Sequence, residues 1–84
     1  MTFPRPIWHQ LKNKSANDLI SALRRDGAQL DETRGAEQVY RYPDGRRVSI
    51  HYHPKKTYGA KLLKALLKDI GWTEADLRRL KLIK

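Results

Sequence analysis

The chain has 84 residues, which is the length of one small domain, and its 18 lysines and arginines outnumber 9 aspartates and glutamates for a formal net charge of +9. Such an excess predicts an anionic partner. The lack of cysteine excludes a disulfide framework and a thiolate zinc site, and three histidines without a matching acidic cluster predict no metal or other cofactor. No stretch reads as a signal peptide or a membrane span, so we expect a soluble, cytoplasmic protein with no membrane partner.

The N-terminal segment, residues 1–14, contains Pro4 and Pro6 and has no clear hydrophobic period. Prolines without periodicity are typical of irregular chain. We therefore expect residues 1–14 to form an irregular arm and residues 15–84 to form a single domain.

A helix is predicted to follow this arm. Ser15 can cap the free amides of the first turn, Asp18 stands at the capping-box position, and apolar residues then recur at helical spacing. Gly27 is the expected end, because glycine readily adopts the left-handed conformation that terminates helices.

Three strands are predicted next. Residues 28–33 are a weak candidate, whereas residues 38–42 and 47–53 alternate apolar and polar side chains as half-buried strands do. Between them, Pro43-Asp44-Gly45-Arg46 has the composition of a tight turn. The second and third strands are therefore predicted to pair as a hairpin.

Two helices are predicted at the end of the chain. The first has an apolar side and a lysine side, formed respectively by Leu62, Leu63, Leu66, Leu67 and Ile70 and by Lys61, Lys64 and Lys68. Gly71 ends it, and Thr73 with Asp76 has the capping-box spacing of a short terminal helix. The order α-β-β-β-α with an added helix predicts an α+β fold, in which helices cover one face of a small antiparallel sheet.

Three segments of this pattern carry a family resemblance. They are Ser15-x-x-Asp18-Leu19-Ile20-x-x-Leu23, Tyr40-Arg41-Tyr42-Pro43-Asp44-Gly45-Arg46-Arg47-Val48, and Leu62-Leu63-Lys64-x-Leu66-Leu67-Lys68-x-Ile70-Gly71. With this spacing the chain resembles the HicA toxin family over about residues 14–77. The resemblance implies a fold like the double-stranded-RNA-binding domain, a metal-independent mRNA interferase (an endonuclease that cleaves messenger RNA), and neutralisation by a HicB-like antitoxin.

The chain departs from the family at the catalytic position. The family usually has a Gly-Ser-His motif before the second strand, where this chain has Gly35-Ala36-Glu37, and it tends to have a histidine where this chain has His53. The resemblance therefore implies Glu37 as the base that takes the 2′-hydroxyl proton, and His53 as the acid or phosphate stabiliser. A glutamate, with an ordinary pKa of about 4.3, is a weaker base at pH 7 than a histidine. We therefore expect weakened or lost nuclease activity.

Cations cluster around the third strand and the helix that follows it. Lys55, Lys56 and Lys61 lie near the free amides of the helix start, where charge and hydrogen bonding favour phosphate binding. The segment is also similar to the Lys-Lys-x-Ala-Lys segment of double-stranded-RNA-binding domains, with Tyr58-Gly59 in place of a single position. The predicted RNA-binding residues are Arg46, Arg47, Lys55, Lys56, Lys61 and Lys64.

The residues leave an alternative open. The chain can be a non-catalytic RNA-binding module, or a protein-interaction domain whose basic face binds an acidic partner. In both cases Glu37 and His53 are ordinary surface residues. Salt dependence separates the two, because binding through several phosphates weakens steeply with salt.

Overall fold

A computed structural model describes residues 3–12, 14–52 and 59–84. Its elements are α1 (Arg5–Leu11), α2 (Ala16–Arg25), β1 (Gln29–Arg34), β2 (Glu37–Arg41), β3 (Arg47–His51), α3 (Ala60–Ile70) and α4 (Glu74–Arg79). The helices together with a three-stranded antiparallel sheet of order β1-β2-β3 confirm the predicted α+β class. Within the described ranges, no helix has the length and apolar character needed to cross a bilayer.

The β2–β3 hairpin closes through the predicted turn. The Tyr42 N–H donates to the Arg46 carbonyl, and the Gly45 N–H donates to the Tyr42 carbonyl. Gly45 has a φ of 95°, which a side-chain-bearing residue adopts only with strain. This turn sets the register of the hairpin, in which Arg41 lies opposite Arg47 and Glu37 lies opposite His51.

The two faces of the sheet differ. Tyr40, Val48 and Ile50 point to the inner face and are buried among the residues of α2 and α3. Val39 points to the opposite, outer face; it is buried but does not belong to the core cluster. Charged side chains surround it there, so the outer face is polar with one apolar residue beneath. The largest fully buried side chains are Leu11, Leu19, Leu23, Tyr40, Ile50, Leu63, Leu77 and Leu80.

The helix ends follow the capping chemistry read from the sequence. Reciprocal capping boxes join Ser15 to Asp18 at the start of α2 and Thr73 to Asp76 at the start of α4. Gly71 ends α3 in the left-handed conformation with a φ of 81°. These local signals confirm three helix boundaries that were predicted from the sequence.

The N-terminal segment differs from the expected irregular arm, because Arg5–Leu11 forms α1. Proline lies at the start of this helix, where a missing N–H breaks no intrahelical hydrogen bond, so it begins the helix rather than prevents it. Phe3, Ile7 and Leu11 are buried and join the core cluster of the rest of the chain. Packing on the domain therefore stabilises a helix of seven residues that would be too short to be stable in isolation.

A network around Asp26 holds α4 against the body of the domain. One carboxylate oxygen, Oδ2, accepts hydrogen bonds from the Tyr42 hydroxyl at 2.7 Å and from Trp72 Nε1 at 2.9 Å. The other, Oδ1, accepts from Arg79 Nη2 at 2.6 Å. Burial raises the pKa of Asp26, but the hydrogen bonds from Trp72, Arg79 and Tyr42 outweigh it, so the pKa lies below its ordinary value. We call Asp26, Tyr42, Trp72 and Arg79 the Asp26 network.

Candidate functional site

The residue at the family's catalytic position lies at one end of the outer sheet face. Glu37 is the first residue of β2, where it pairs with Arg34 of β1 on one side and with His51 of β3 on the other. Directly opposed residues of an antiparallel pair point to the same face, with Cβ atoms about 4.5–5.5 Å apart. Arg34, Glu37 and His51 therefore form a row across the end of the sheet, which we call the Glu37 row.

The cation of this row is held by a neighbouring carboxylate. Arg34 Nε donates to Glu32 Oε1 at 2.9 Å. This hydrogen bond and the charge of Glu32 raise the pKa of Arg34 above its ordinary value, and the charge of Glu37 adds to the effect. In the described part of the chain, no group of three or more histidine, aspartate or glutamate side chains is placed to bind a metal ion.

The other end of the outer face is also balanced in charge. The β1–β2 register shifts between Leu30 and Glu32, and Asp31 stands at this irregularity. Its carboxylate lies 3.0 Å from Arg47 Nη2 and 4.0 Å from Arg41 Nε. A bulge re-aims a side chain, and here it brings an acid against one arginine of each of the other two strands. Arg47, predicted to bind RNA, thus has an acidic partner within the sheet.

Arg46, also predicted to bind RNA, has structural contacts. Its Nη1 donates to the Ile70 carbonyl at the end of α3 at 3.0 Å, and its Nε donates to Asp44 at 2.9 Å. Its guanidinium also lies 4.5 Å from the centroid of the Tyr42 ring. Through these contacts Arg46 clamps the hairpin turn to α3. It still faces solvent, since 54% of its side chain is exposed.

The lysines of α3 have a different setting. Lys61, Lys64 and Lys68 are exposed, and their i, i+3, i+7 spacing puts them in one stripe along the helix. No carboxylate of the described residues pairs with them. Because α3 packs against β3, and Arg46, just before β3, bonds to Ile70, the last residue of α3, the two elements run in opposite directions. Lys61 at the start of α3 therefore lies at the same end of the molecule as His51 at the end of β3.

The predicted site is only partly within the described residues. The structure describes Glu37, Arg46, Arg47, Lys61 and Lys64, whereas His53, Lys55 and Lys56 lie outside the described ranges. The sequence predicts His53 as the partner of Glu37; in the register of β2 and β3, His51 lies directly opposite Glu37. The observed register is centred on Asp44, because Arg41 and Arg47 each lie three residues from it and Glu37 and His51 each lie seven residues from it.

The comparison with protein families agrees with this architecture. The family described as "HicA toxin of bacterial toxin-antitoxin" matches residues 16–72, which is more than half of the chain. The chain belongs to the HicA toxin family. The match runs from the first residue of α2, through the sheet and α3, to Trp72. A comparison with curated proteins gives no match.

Two helices extend this HicA domain. Both α1 and α4 lie outside the matched residues, yet α1 contributes Ile7 and Leu11 to the same core and α4 contributes Leu77. The backbone N–H of Lys84 also donates to Gln10 Oε1 at 2.7 Å, which joins the end of the chain to α1. The core of this protein therefore continues beyond the matched segment on both sides.

Proposed function

We propose that this HicA family member binds messenger RNA in the cytoplasm, as the toxin-type partner of a HicB-like antitoxin, and cleaves it slowly without a metal ion. One observation carries the proposal. The lysine stripe of α3 begins at the same end of the molecule as the Glu37 row, so a strand bound along α3 that continues around that end of the sheet can bring a phosphodiester to Glu37 and His51 on the outer face.

The binding part of the proposal rests on unpaired charge. Lys61 and Lys64 have no carboxylate partner among the described residues, and lysine binds phosphate as a flexible point charge. Arg46 and Arg47 keep exposed guanidinium groups, but each already has an acidic partner. We therefore assign most of the RNA affinity to the lysines, together with the sequence-predicted Lys55 and Lys56, and a smaller share to the two arginines.

The chemical part of the proposal is an internal transfer at phosphorus. Glu37 takes the proton of the 2′-hydroxyl, the 2′-oxygen attacks the adjacent phosphorus, and the bond from phosphorus to the 5′-oxygen breaks. A histidine, either His51 or His53, gives its proton to that 5′-oxygen. The products are a 2′,3′-cyclic phosphate and a 5′-hydroxyl, so no metal or water is consumed in the first step.

The reduced rate follows from the base. A glutamate is ordinarily about two pKa units less basic than a histidine, so it takes the proton less readily in the transition state. Replacing Glu37 by histidine restores a base whose pKa lies near neutral pH. We expect Glu37→His to raise the cleavage rate about tenfold and Glu37→Gln to lower it by about a hundredfold or more.

The test is cleavage of a labelled RNA by purified protein, with excess EDTA present throughout. Glu74→Gln is the matched control, because it makes the same replacement of a carboxylate on α4, outside the Glu37 row, and should leave the cleavage rate unchanged. His51→Asn and His53→Asn, assayed separately, identify the acid by the larger loss. Intact RNA after long incubation with both wild-type protein and Glu37→His would refute the nuclease part of the proposal.

RNA binding is tested separately by the salt dependence of affinity. For a single strand, each phosphate contact adds about 0.7 to the slope of log affinity against log salt. Lys61→Gln should therefore reduce the slope by about 0.7. An affinity for RNA that does not change with salt would refute phosphate binding and favour the protein-interaction alternative.

A further inference from the structure

A cavity of about 380 Å³ lies near the end of α3, where α1 meets Trp72. Its apolar walls include Phe3, Trp8 and Trp72, and its charged lining includes Lys64 and Lys68. Ligand sites commonly have volumes of about 300–1,000 Å³, with mostly apolar walls and a few polar groups. Because Phe3 and Trp8 precede the segment that matches the HicA family, this cavity depends on the N-terminal helix of this protein.

Trp8 is held in the cavity by two aromatic contacts. Lys64 Nζ lies 5.3 Å from the centroid of the Trp8 ring, and the Phe3 ring meets Trp8 edge-on, with centroids 5.6 Å apart. The indole Nε1 is buried and has no hydrogen-bond partner among the described residues. A buried donor without an acceptor costs free energy. If a ligand displaces the contacts on Trp8 so that the indole turns, its N–H can donate to an acceptor of the ligand.

From these contacts we propose that the cavity binds one base of an RNA strand together with its phosphate. The base stacks on the Trp8 ring in place of the Lys64 ammonium, which moves a short distance to the phosphate. Stacking on an aromatic ring beside a cation is how single-stranded nucleic acid is commonly bound without sequence preference. This inference rests on the proposed RNA-binding function and adds a base-binding subsite to it.

The lysine stripe favours RNA over an acidic protein segment as the occupant. Lys64 and Lys68 are one turn apart, with a rise of about 6 Å between them, and Lys61 continues the same line. The stripe therefore runs from the cavity to the end of the molecule that carries the Glu37 row. Along the helix axis the two places are about 16 Å apart, and the strand must also pass around the end of the sheet to reach the outer face. A strand anchored by a base in the cavity would be held along the stripe with a later phosphodiester near Glu37.

Intrinsic fluorescence offers a direct readout, because the chain has two tryptophans and both line the cavity. The probes are an eight-nucleotide oligoadenylate and adenosine monophosphate, with excitation at the red edge of tryptophan absorption. We expect saturable quenching by the oligonucleotide, and weaker binding by the mononucleotide because it makes fewer phosphate contacts. The double variant Lys64→Gln, Lys68→Gln should bind the oligonucleotide more weakly and lower the salt slope by about 1.4, from about 0.7 for each lysine.

The control variant is Lys81→Gln, because Lys81 lines a different cavity near the C-terminus and should leave quenching unchanged. Anisotropy of a labelled oligonucleotide, measured in parallel, separates the inference from the proposed function. Binding by anisotropy without any change in tryptophan fluorescence overturns the base subsite and leaves RNA binding intact. Absence of both signals overturns both. Quenching by the acidic peptide Glu-Glu-Phe-Leu-Glu-Glu but not by either nucleotide probe assigns the cavity to a protein partner and also overturns the inference.

Discussion

Removing the acceptor of the Asp26 network should destabilise the whole domain. Asp26 follows the last residue of α2, and only 16% of its side chain is exposed. In Asp26→Ala the Tyr42 hydroxyl and the Trp72 indole N–H both lose their acceptor, and both residues are 5% exposed. Neither donor can turn to water without moving its ring out of the core.

The size of the effect follows from the two buried donors. A buried donor left without a partner costs about 1–3 kcal/mol, so the two together predict a loss of about 2–6 kcal/mol. Arg79 adds nothing to this sum, because 53% of its side chain is exposed and water can replace the carboxylate. A small domain of this length has a total stability of about 4–13 kcal/mol, so the predicted loss is a large part of it.

The assay is thermal unfolding followed by far-ultraviolet circular dichroism. A loss of about 3 kcal/mol corresponds to a fall in Tm of about 12–24 °C for a domain of this size. Asp69→Ala is the matched control, because Asp69 is exposed on α3 and its replacement removes the same charge. Surface substitutions of this kind usually change stability by about 0.5 kcal/mol or less.

A Tm for Asp26→Ala within a few degrees of that of Asp69→Ala would refute this reasoning. It would mean that Tyr42 and Trp72 find other acceptors, and that apolar packing alone holds α4. If Asp26→Ala is unfolded at all temperatures, Tyr42→Phe supplies the graded measurement, because it removes one donor and keeps the ring.

Three further outcomes follow from the same structure. Tyr42→Phe should cost about 1–2 kcal/mol by urea unfolding, since it removes one hydrogen bond to a charged acceptor. The pKa of Asp26 is lower in the folded state, so the ionised carboxylate stabilises the fold above its ordinary pKa of 3.8, and this stabilisation is lost as pH falls through the lower folded value. The difference in unfolding free energy between wild type and Asp26→Ala should therefore narrow below about pH 4. Leu11→Ala should lower the unfolding free energy by about 2–5 kcal/mol, whereas Leu62→Ala should lower it far less, because Leu62 is 59% exposed. Equal unfolding midpoints for the two variants would exclude α1 from the core.

Elements with local chemistry could be predicted from the sequence. The capping boxes at Ser15 and Thr73 involve partners three residues away, and Gly45 and Gly71 adopt positive φ values within their own turns. Each signal lies within a few residues of the feature that it specifies, so no knowledge of distant contacts is needed.

Features that depend on distant contacts could not be predicted in the same way. Pro4 and Pro6 lie at the start of the segment that forms α1, and its helix is stabilised by burial of Phe3, Ile7 and Leu11 in a core built by the rest of the chain. Asp26 meets Trp72 across 46 positions of sequence. The four-residue spacing of Phe3, Ile7 and Leu11 is helical, but three apolar residues beside two prolines are a weak signal, and the contact of Asp26 with Trp72 leaves no periodic signal.

The candidate site contains both features that local sequence predicts and features that depend on distant contacts. The family motif led to Glu37 from the sequence, and the hairpin turn fixes His51 as its cross-strand neighbour. The role of Arg46 was not visible, because its hydrogen bond goes to the Ile70 carbonyl, 24 residues away. A cation beside a turn looks the same in the sequence whether it binds phosphate or clamps a helix.

The distribution of charge, more than its total, indicates how RNA approaches this protein. The outer sheet face carries Asp31, Glu32 and Glu37, and two of these acids pair with arginines. A strand lying flat across that face would bring its phosphates against three carboxylates, and the paired arginines would have to leave their partners to compensate. The lysines of α3 have no carboxylate partner in the described part of the chain, so they carry no such cost. RNA should therefore approach along α3, pass around the end of the sheet, and reach the outer face only at the Glu37 row, where a carboxylate is needed as a base and a single reacting phosphodiester is exposed to it.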